Sequence, residues 1–285
     1  MYNSRTVGFG LVTYNGGHNL EKLLSKLEKI TFVDKAICID SESTDKTKEL
    51  LMRYHIQFES IKQKEFNHGA TREKLRKLLN TDIVVFITQD VWFEDAQVIL
   101  KLIEPIIEGK CQIAYAQQLP RKYATAIEQL ECEFFYPESS ELRVQNQLTA
   151  FGEPSFFSSN SCCAYDNNVL NEIGGFPETD FMEDWIVASR VLKSGGKILY
   201  NSEARVFHSH KPSIYNSFNR SYLMALTIEK FKGDLKVGNK AKMSFNSYAL
   251  KQLLQRKDFS IFLFILIQTS KLLGRVKAKL TYAAR

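Results

Sequence analysis

The feature that most narrows the fold is an alternation in the first half of the chain, where short β-branched apolar runs are each followed by a segment of helical period. Residues 7–14, 35–39, 56–60 and 82–88 read as strands. Residues 19–30, the stretch from Ser43 to Tyr54, and the stretch from Phe66-Asn67-His68-Gly69 to Leu79 read as helices. Parallel neighbours need a crossover long enough to hold a helix, so this order predicts βαβ units around a largely parallel sheet. Further on, 95–108 reads as a helix and 112–117 as a strand. The pattern then loosens from 123 to 157. It resumes with a strand at 161–165, helices at 168–173 and 183–194, and two short strands at 197–200 and 205–208. From Ser213 onward the chain is expected to be helical, with 236–242 as a polar linker.

With 285 residues, 44% hydrophobic and 25% charged, the chain can bury a large core, and composition excludes a disordered or fibrous protein. Charge is uneven: residues 236 to 285 carry 11 Lys/Arg against one acid, leaving 27 basic and 31 acidic residues before them. A basic tail on an acidic body is not the pattern of a general nucleic-acid binder, and no nucleic-acid partner is expected. The tail joins an apolar run, 261–267, to Lys271, Arg275, Lys277 and Lys279, and three uses fit it: packing on the body, a homodimer, or peripheral contact with a membrane. That run is far short of the roughly 18–20 residues that span a bilayer. Five cysteines without a C-x-x-C pair suit a reducing cytoplasm, and no signal peptide is expected at residues 1–5.

Ligands of open α/β sheets bind at the carboxyl ends of the strands. Three polar clusters fall there: Thr13-Tyr14-Asn15, Asp40-Ser41-Glu42-Ser43 and Thr88-Gln89-Asp90. Each could be a turn or a cap, but their coincidence points to a cleft. The first turn, Asn15-Gly16-Gly17-His18, matches neither G-x-G-x-x-G nor a P-loop, which argues against a dinucleotide dehydrogenase or a P-loop kinase. Without a phosphate-cradling loop, a nucleoside diphosphate here would need a divalent cation, and Asp90 is the natural carboxylate for it. Glu183-Asp184 opens a helix, where two acids either complement the macrodipole or supply a general base. His208 and His210 share one face of a strand and could join a carboxylate at Mn²⁺.

These residues together resemble the inverting family 2 glycosyltransferases of the GT-A fold, specifically the bacterial rhamnosyltransferase branch, over about residues 7 to 230. The landmarks are Val12-Thr13-Tyr14-Asn15, Ile39-Asp40-Ser41-Glu42-Ser43-Thr44-Asp45, Phe66-Asn67-His68-Gly69-Ala70-Thr71-Arg72, Thr88-Gln89-Asp90, Gly174-Gly175-Phe176-Pro177, Glu183-Asp184-Trp185 and His208-Ser209-His210. The resemblance implies an α/β, Rossmann-like nucleotide-diphospho-sugar transferase fold, with a catalytic domain at 1–232 and a basic amphipathic helical extension at 233–285. It further implies that Asp40 bonds a pyrimidine base, that Thr13, Tyr14, Asn15 and Gln89 line the nucleotide cleft, and that Arg72 reaches the nucleotide. Asp90 would hold Mg²⁺ or Mn²⁺, with His208 a further ligand of the metal or of the diphosphate and His210 a weaker candidate, and Asp184, beside Glu183, would be the catalytic base.

The chain departs from the branch at Glu73, commonly Asn, and at Val91-Trp92, which replace a small residue and Pro and bear on donor preference. A processive Q-x-x-R-W motif is absent. The activity implied is transfer of L-rhamnose from dTDP-rhamnose to a saccharide or lipid-linked saccharide, in the cytoplasm or at the inner face of the membrane. The alternatives are a UDP-hexose or UDP-N-acetylhexosamine donor, and a non-catalytic membrane-tethered nucleotide-binding module.

Overall fold

The computed structural model describes residues 2–145, 156–235 and 244–283. The expected linker at 236–242 lies outside these.

Strands β1 (Val7–Thr13), β2 (Lys35–Asp40), β3 (Gln57–Ser60) and β4 (Ile83–Thr88) alternate with helices α1 (Gly17–Leu27), α2 (Thr47–Arg53) and α3 (His68–Leu79). After α4 (Gln97–Ile107) come β5 (Ile113–Leu119), α5 (Ala126–Phe135) and β6 (Glu141–Arg143). Strand β7 (Cys162–Asp166), α6 (Asn167–Glu172), α7 (Glu183–Lys193) and β8 (Ile198–Phe207) complete the body. One eight-stranded sheet results, in the order β3-β2-β1-β4-β7-β5-β8-β6. It is parallel except where β7 runs antiparallel to β4 and β5, and β6 to β8. Both faces are covered, which is why the strands read as continuous apolar runs rather than alternating ones. In β4, Ile83, Val85 and Ile87 pack with Leu20, Leu23, Leu24 and Ile99 on one face, while Val84 and Phe86 pack with Leu75, Phe176 and Ile186 on the other.

The structure corrects two sequence expectations. The loosened stretch holds α5, whose Thr125 caps Glu128 N while the Glu128 carboxylate accepts from Thr125 N, and also β6. The two short strands at 197–208 are one strand, β8, interrupted opposite Ala116 and Gln117 by a register shift.

Three helices follow: α8 (Ile214–Lys230), α9 (Phe245–Arg256) and α10 (Ser260–Ala283). Phe245, Ala249 and Leu253 of α9 and Phe264 and Ile267 of α10 share a core with Ile127, Leu130 and Phe134 of α5. Helix α10 also lies along α8. Ser270 Oγ donates to Ile214 O at 2.6 Å and Ser221 Oγ to Lys271 O at 2.8 Å. The approach is close enough that a Cβ on Gly274 would come 2.5 Å from Phe218 O. No helix among the described residues is long and apolar enough to cross a membrane.

Candidate active site

The carboxyl ends of β1, β2 and β4 meet in register, with Thr13 beside Asp40 and Val12 beside Thr88. Asp40 is fully buried. It accepts from Thr13 Oγ1 at 3.1 Å, from Ser43 N at 3.0 Å and from Ser43 Oγ, and Lys48 Nζ lies 3.7 Å away. The turn after β1 is tied to its neighbours: Asn15 N donates to Ser43 Oγ and Asn15 Oδ1 accepts from Thr44 N. The Gln89 amide pairs with the Tyr14 backbone in both directions at 2.9 Å, which leaves the Tyr14 ring 43% exposed over the cleft edge.

One residue on, Asp90 faces three basic groups. Its Oδ2 lies 3.4 Å from His208 Nε2, 3.5 Å from His210 Nε2 and 3.5 Å from Arg121 Nη2. The Asp90 segment is clamped to the end of β8 by reciprocal backbone bonds between Trp92 and Phe207, whose rings lie 4.7 Å apart. Burial pushes the Asp90 carboxyl up, but the hydrogen bond from His208 and the charges of His208 and His210 outweigh it and hold Asp90 well below the usual carboxylate range. One ligand atom each from Asp90, His208 and His210 falls within 4.8 Å of the others, the spacing a cation needs. His208 Nδ1 is 2.8 Å from Gln118 Oε1. With Nδ1 donating there, a cation between Nε2 and Asp90 would take the place of the Nε2 proton, the arrangement usual for a metal-binding imidazole. An anionic oxygen with two imidazoles suits Mn²⁺ better than Mg²⁺, which prefers oxygen alone.

Helix α7 begins with the other carboxylate pair. Glu183 Oε1 sits 2.9 Å from Arg72 Nη1, both side chains nearly fully buried, and accepts from Asn160 Nδ2 at 2.9 Å. Burial pushes Glu183 up, yet the Arg72 and His68 charges bring it below its ordinary range. Among the described residues Asp184 makes no ion pair. Its bonds come from Asn160 N at 3.1 Å and Trp185 N at 2.9 Å, and burial, followed by the Glu183 charge, pushes it up to about 7. The two centres are strutted together by one short segment. Gln118, which holds His208, donates to Ser159 Oγ at 2.7 Å, and the next residue, Asn160, holds both Glu183 and Asp184.

The structure therefore brings Thr13, Tyr14, Asn15, Asp40 and Gln89 to one set of strand ends, Asp90 to His208 and His210, and Glu183 to Asp184. Arg72, expected at the nucleotide, is instead committed to Glu183 and to His68 O at 3.2 Å; a buried carboxylate demands such a partner. Glu73 faces away from the strand ends, bonding Arg76 and Phe176 N. Sequence reasoning missed Gln118, Arg121 and Asn160. A polar Gln117-Gln118 pair ending a strand was a usable signal for the first, whereas Asn160 carries no local pattern.

An open mixed sheet with polar side chains gathered at its parallel strand ends, a carboxylate–histidine cluster and a separate acidic helix start are the arrangement of a GT-A fold. Residues 9–174 match the family model of glycosyl transferase family 2. The O-antigen chain rhamnosyltransferase RfbN of Salmonella typhimurium is 34% identical over 218 residues, 74% of this chain and 68% of that one. WbaN of Salmonella anatum, named likewise, is 35% identical over 188 residues, 65% of this chain and 60% of that one. The chain belongs to glycosyltransferase family 2. In fold it is similar to the mannosyltransferase PcManGT from Pyrobaculum calidifontis, solved with GDP-Man and Mn²⁺, at a TM-score of 0.67 and 12% identity over 96% of this chain and 87% of that one.

Proposed function

We propose that this protein transfers L-rhamnose from dTDP-rhamnose to a saccharide acceptor during synthesis of a cell-surface polysaccharide, with inversion at the anomeric carbon. The observation that carries the chemistry is the division of labour at the start of α7. Glu183 is neutralised by Arg72, while Asp184 is unpaired and poised near neutrality, which supplies the single base that a direct displacement requires. Asp184 takes the acceptor hydroxyl proton as that oxygen bonds to the anomeric carbon. The bond from that carbon to the diphosphate oxygen breaks, and dTDP leaves with the electron pair.

Asp40 holds the pyrimidine base through the cleft that Thr13, Tyr14, Asn15 and Gln89 line. Asp90 and His208, with His210, hold Mn²⁺ or Mg²⁺, which when bound offsets the charge of the departing diphosphate. The names of the two Salmonella relatives support rhamnose as the sugar transferred, and dTDP as its carrier is part of the proposal. The acceptor is a lipid-linked saccharide met at the inner face of the membrane, and α10 supports that placement. Phe262, Ile265, Leu266, Leu273, Val276 and Leu280 are exposed on it, no acid interrupts it, and its cations suit anionic headgroups better than a second copy of the same basic helix. Residues 1–232 are the catalytic unit and 233–285 the extension that brings it to the lipid.

The test is a panel of dTDP-rhamnose, UDP-glucose, UDP-galactose and UDP-N-acetylglucosamine, each with Mn²⁺ and with EDTA, read by calorimetry and product formation. Turnover and metal-dependent binding with dTDP-rhamnose alone support the reading. A UDP-sugar preference replaces the donor, and binding without turnover for any donor overturns the catalytic assignment.

A further inference from the structure

We propose that Arg121 binds the diphosphate of the donor, exchanging its contact with the Asp90 carboxylate for one with a phosphate oxygen. The proposal rests on the reading that the donor is a nucleoside diphosphate sugar, and it adds a residue from outside the motifs that suggested that reading.

Arg121 follows β5 by two residues and is fixed at its backbone to the elements that carry the histidines. Its N donates to Ser209 Oγ at 3.3 Å, and His208 N donates to Leu119 O at 3.0 Å. Its guanidinium turns back across the strand ends, where Nη2 donates to Asp90 O at 2.6 Å. The Asp90 carboxylate is 3.5 Å from the same nitrogen, beyond a direct hydrogen bond, so that contact is a loose ion pair while the carbonyl bond is the tether. The side chain is 40% exposed, and no other hydrogen bond to its remaining N–H groups is found among the described residues. A half-exposed guanidinium anchored at one nitrogen and with spare donors is suited to receive a phosphate oxygen.

Charge balance points the same way. Arg121 meets the single carboxylate of Asp90 beside His208 and His210, and a divalent cation there would add two further positive charges. One carboxylate cannot balance that set. A diphosphate, with two or three negative charges, can, and once Asp90 serves a cation the guanidinium loses its anionic partner and is released to a phosphate oxygen.

The test uses the full chain and four variants: Arg121→Gln, Arg121→Lys, Lys122→Gln and Asp90→Asn. Calorimetry with dTDP and with UDP in the presence of Mn²⁺ reads nucleotide affinity, and electron paramagnetic resonance reads Mn²⁺ binding without nucleotide. Arg121→Gln is expected to weaken the better nucleoside diphosphate by about 10- to 100-fold, the worth of a hydrogen bond to a charged group, with Mn²⁺ binding equal to or tighter than wild type. Arg121→Lys recovers part of the loss. Lys122, whose Nζ lies over the exposed Tyr123 ring, gives no change, and Asp90→Asn loses Mn²⁺. Wild-type nucleotide affinity in Arg121→Gln overturns the proposal. So does loss of Mn²⁺ together with nucleotide in that variant, since Arg121 would then be only a support for Asp90. If the wild-type protein binds neither dTDP nor UDP with Mn²⁺ present, the functional reading itself fails and takes the proposal with it.

Discussion

Two adjacent carboxyls, Glu183 and Asp184, acquire different chemistry from what lies opposite each side chain. Arg72 forms an ion pair with one, and among the described residues no cation pairs with the other. A base must be ionised to accept a proton, so with Asp184 near about 7 the rate is expected to rise with pH through neutrality and level off above it, a limb that a pH–rate profile reads directly. Asp184→Asn should cost about 10²–10⁴-fold in turnover with nucleotide affinity retained, as single-turnover and calorimetric measurements would show. Glu183→Gln removes the neighbouring negative charge and leaves Arg72 buried without its partner. Its rate limb should move to lower pH, with a loss of roughly 3–5 kcal/mol in denaturant unfolding. At this scale the residue types were legible but not all their partners. Arg72 looks like a phosphate ligand from its motif, and only the packing of α3 against α7 shows which anion it serves. Asn160 acts through groups more than twenty positions away, which no local spacing can encode.

At the scale of elements, the Phe66-Asn67-His68-Gly69 stretch is a joint. Asn67 caps α3 at Ala70 N and accepts from Thr179 N, while its amide donates to Asp180, so the start of α3 is fastened to the loop that leads into α7. A Cβ on Gly69 would sit 1.7 Å from Pro177 O. Gly69→Ala must therefore push the loop away, with an expected cost of about 2 kcal/mol or more in thermal unfolding and a loss of turnover, because the displaced loop carries Glu183 and Asp184. Trp92 has a comparable role, pinning Asp90 beside His208. A departure from the related sequences thus falls on a structural clamp. The strands of the first half were legible because burial on both faces writes a continuous apolar run. Helix α5 was not, although its Thr125 and Glu128 form a capping box, because its aromatic content obscures the helical period.

For the whole molecule, the largely parallel sheet and the three polar strand ends were foreshadowed by the βαβ alternation, but the strand order and the docking of α8, α9 and α10 were not, since a basic apolar tail serves packing, dimerisation and lipid equally well in sequence. The structure divides α10 into a stripe of Phe264, Ile267, Ser270, Gly274 and Ala278 against the body and an opposite stripe of exposed apolar side chains. A Leu266→Glu/Leu273→Glu double variant is expected to lose at least about 10-fold in co-sedimentation with vesicles containing anionic lipid, in line with the cost of burying charge at an apolar interface, while its dTDP affinity stays at the wild-type value. The position of β7 has a consequence during biosynthesis. Its two partners in the sheet, β4 and β5, are both made before it, and it pairs antiparallel with each. Until Asp166 has left the ribosome, the block β3-β2-β1-β4 has an open edge at β4 and β5 has no partner strand, since its other neighbour, β8, is made later still, and both are templates for a stray strand from another polypeptide. The interval in which this protein most needs a chaperone is therefore set by translation speed from β5 to β8: the five-residue β7 joins β5 to the first block, and β8 then covers the other edge of β5.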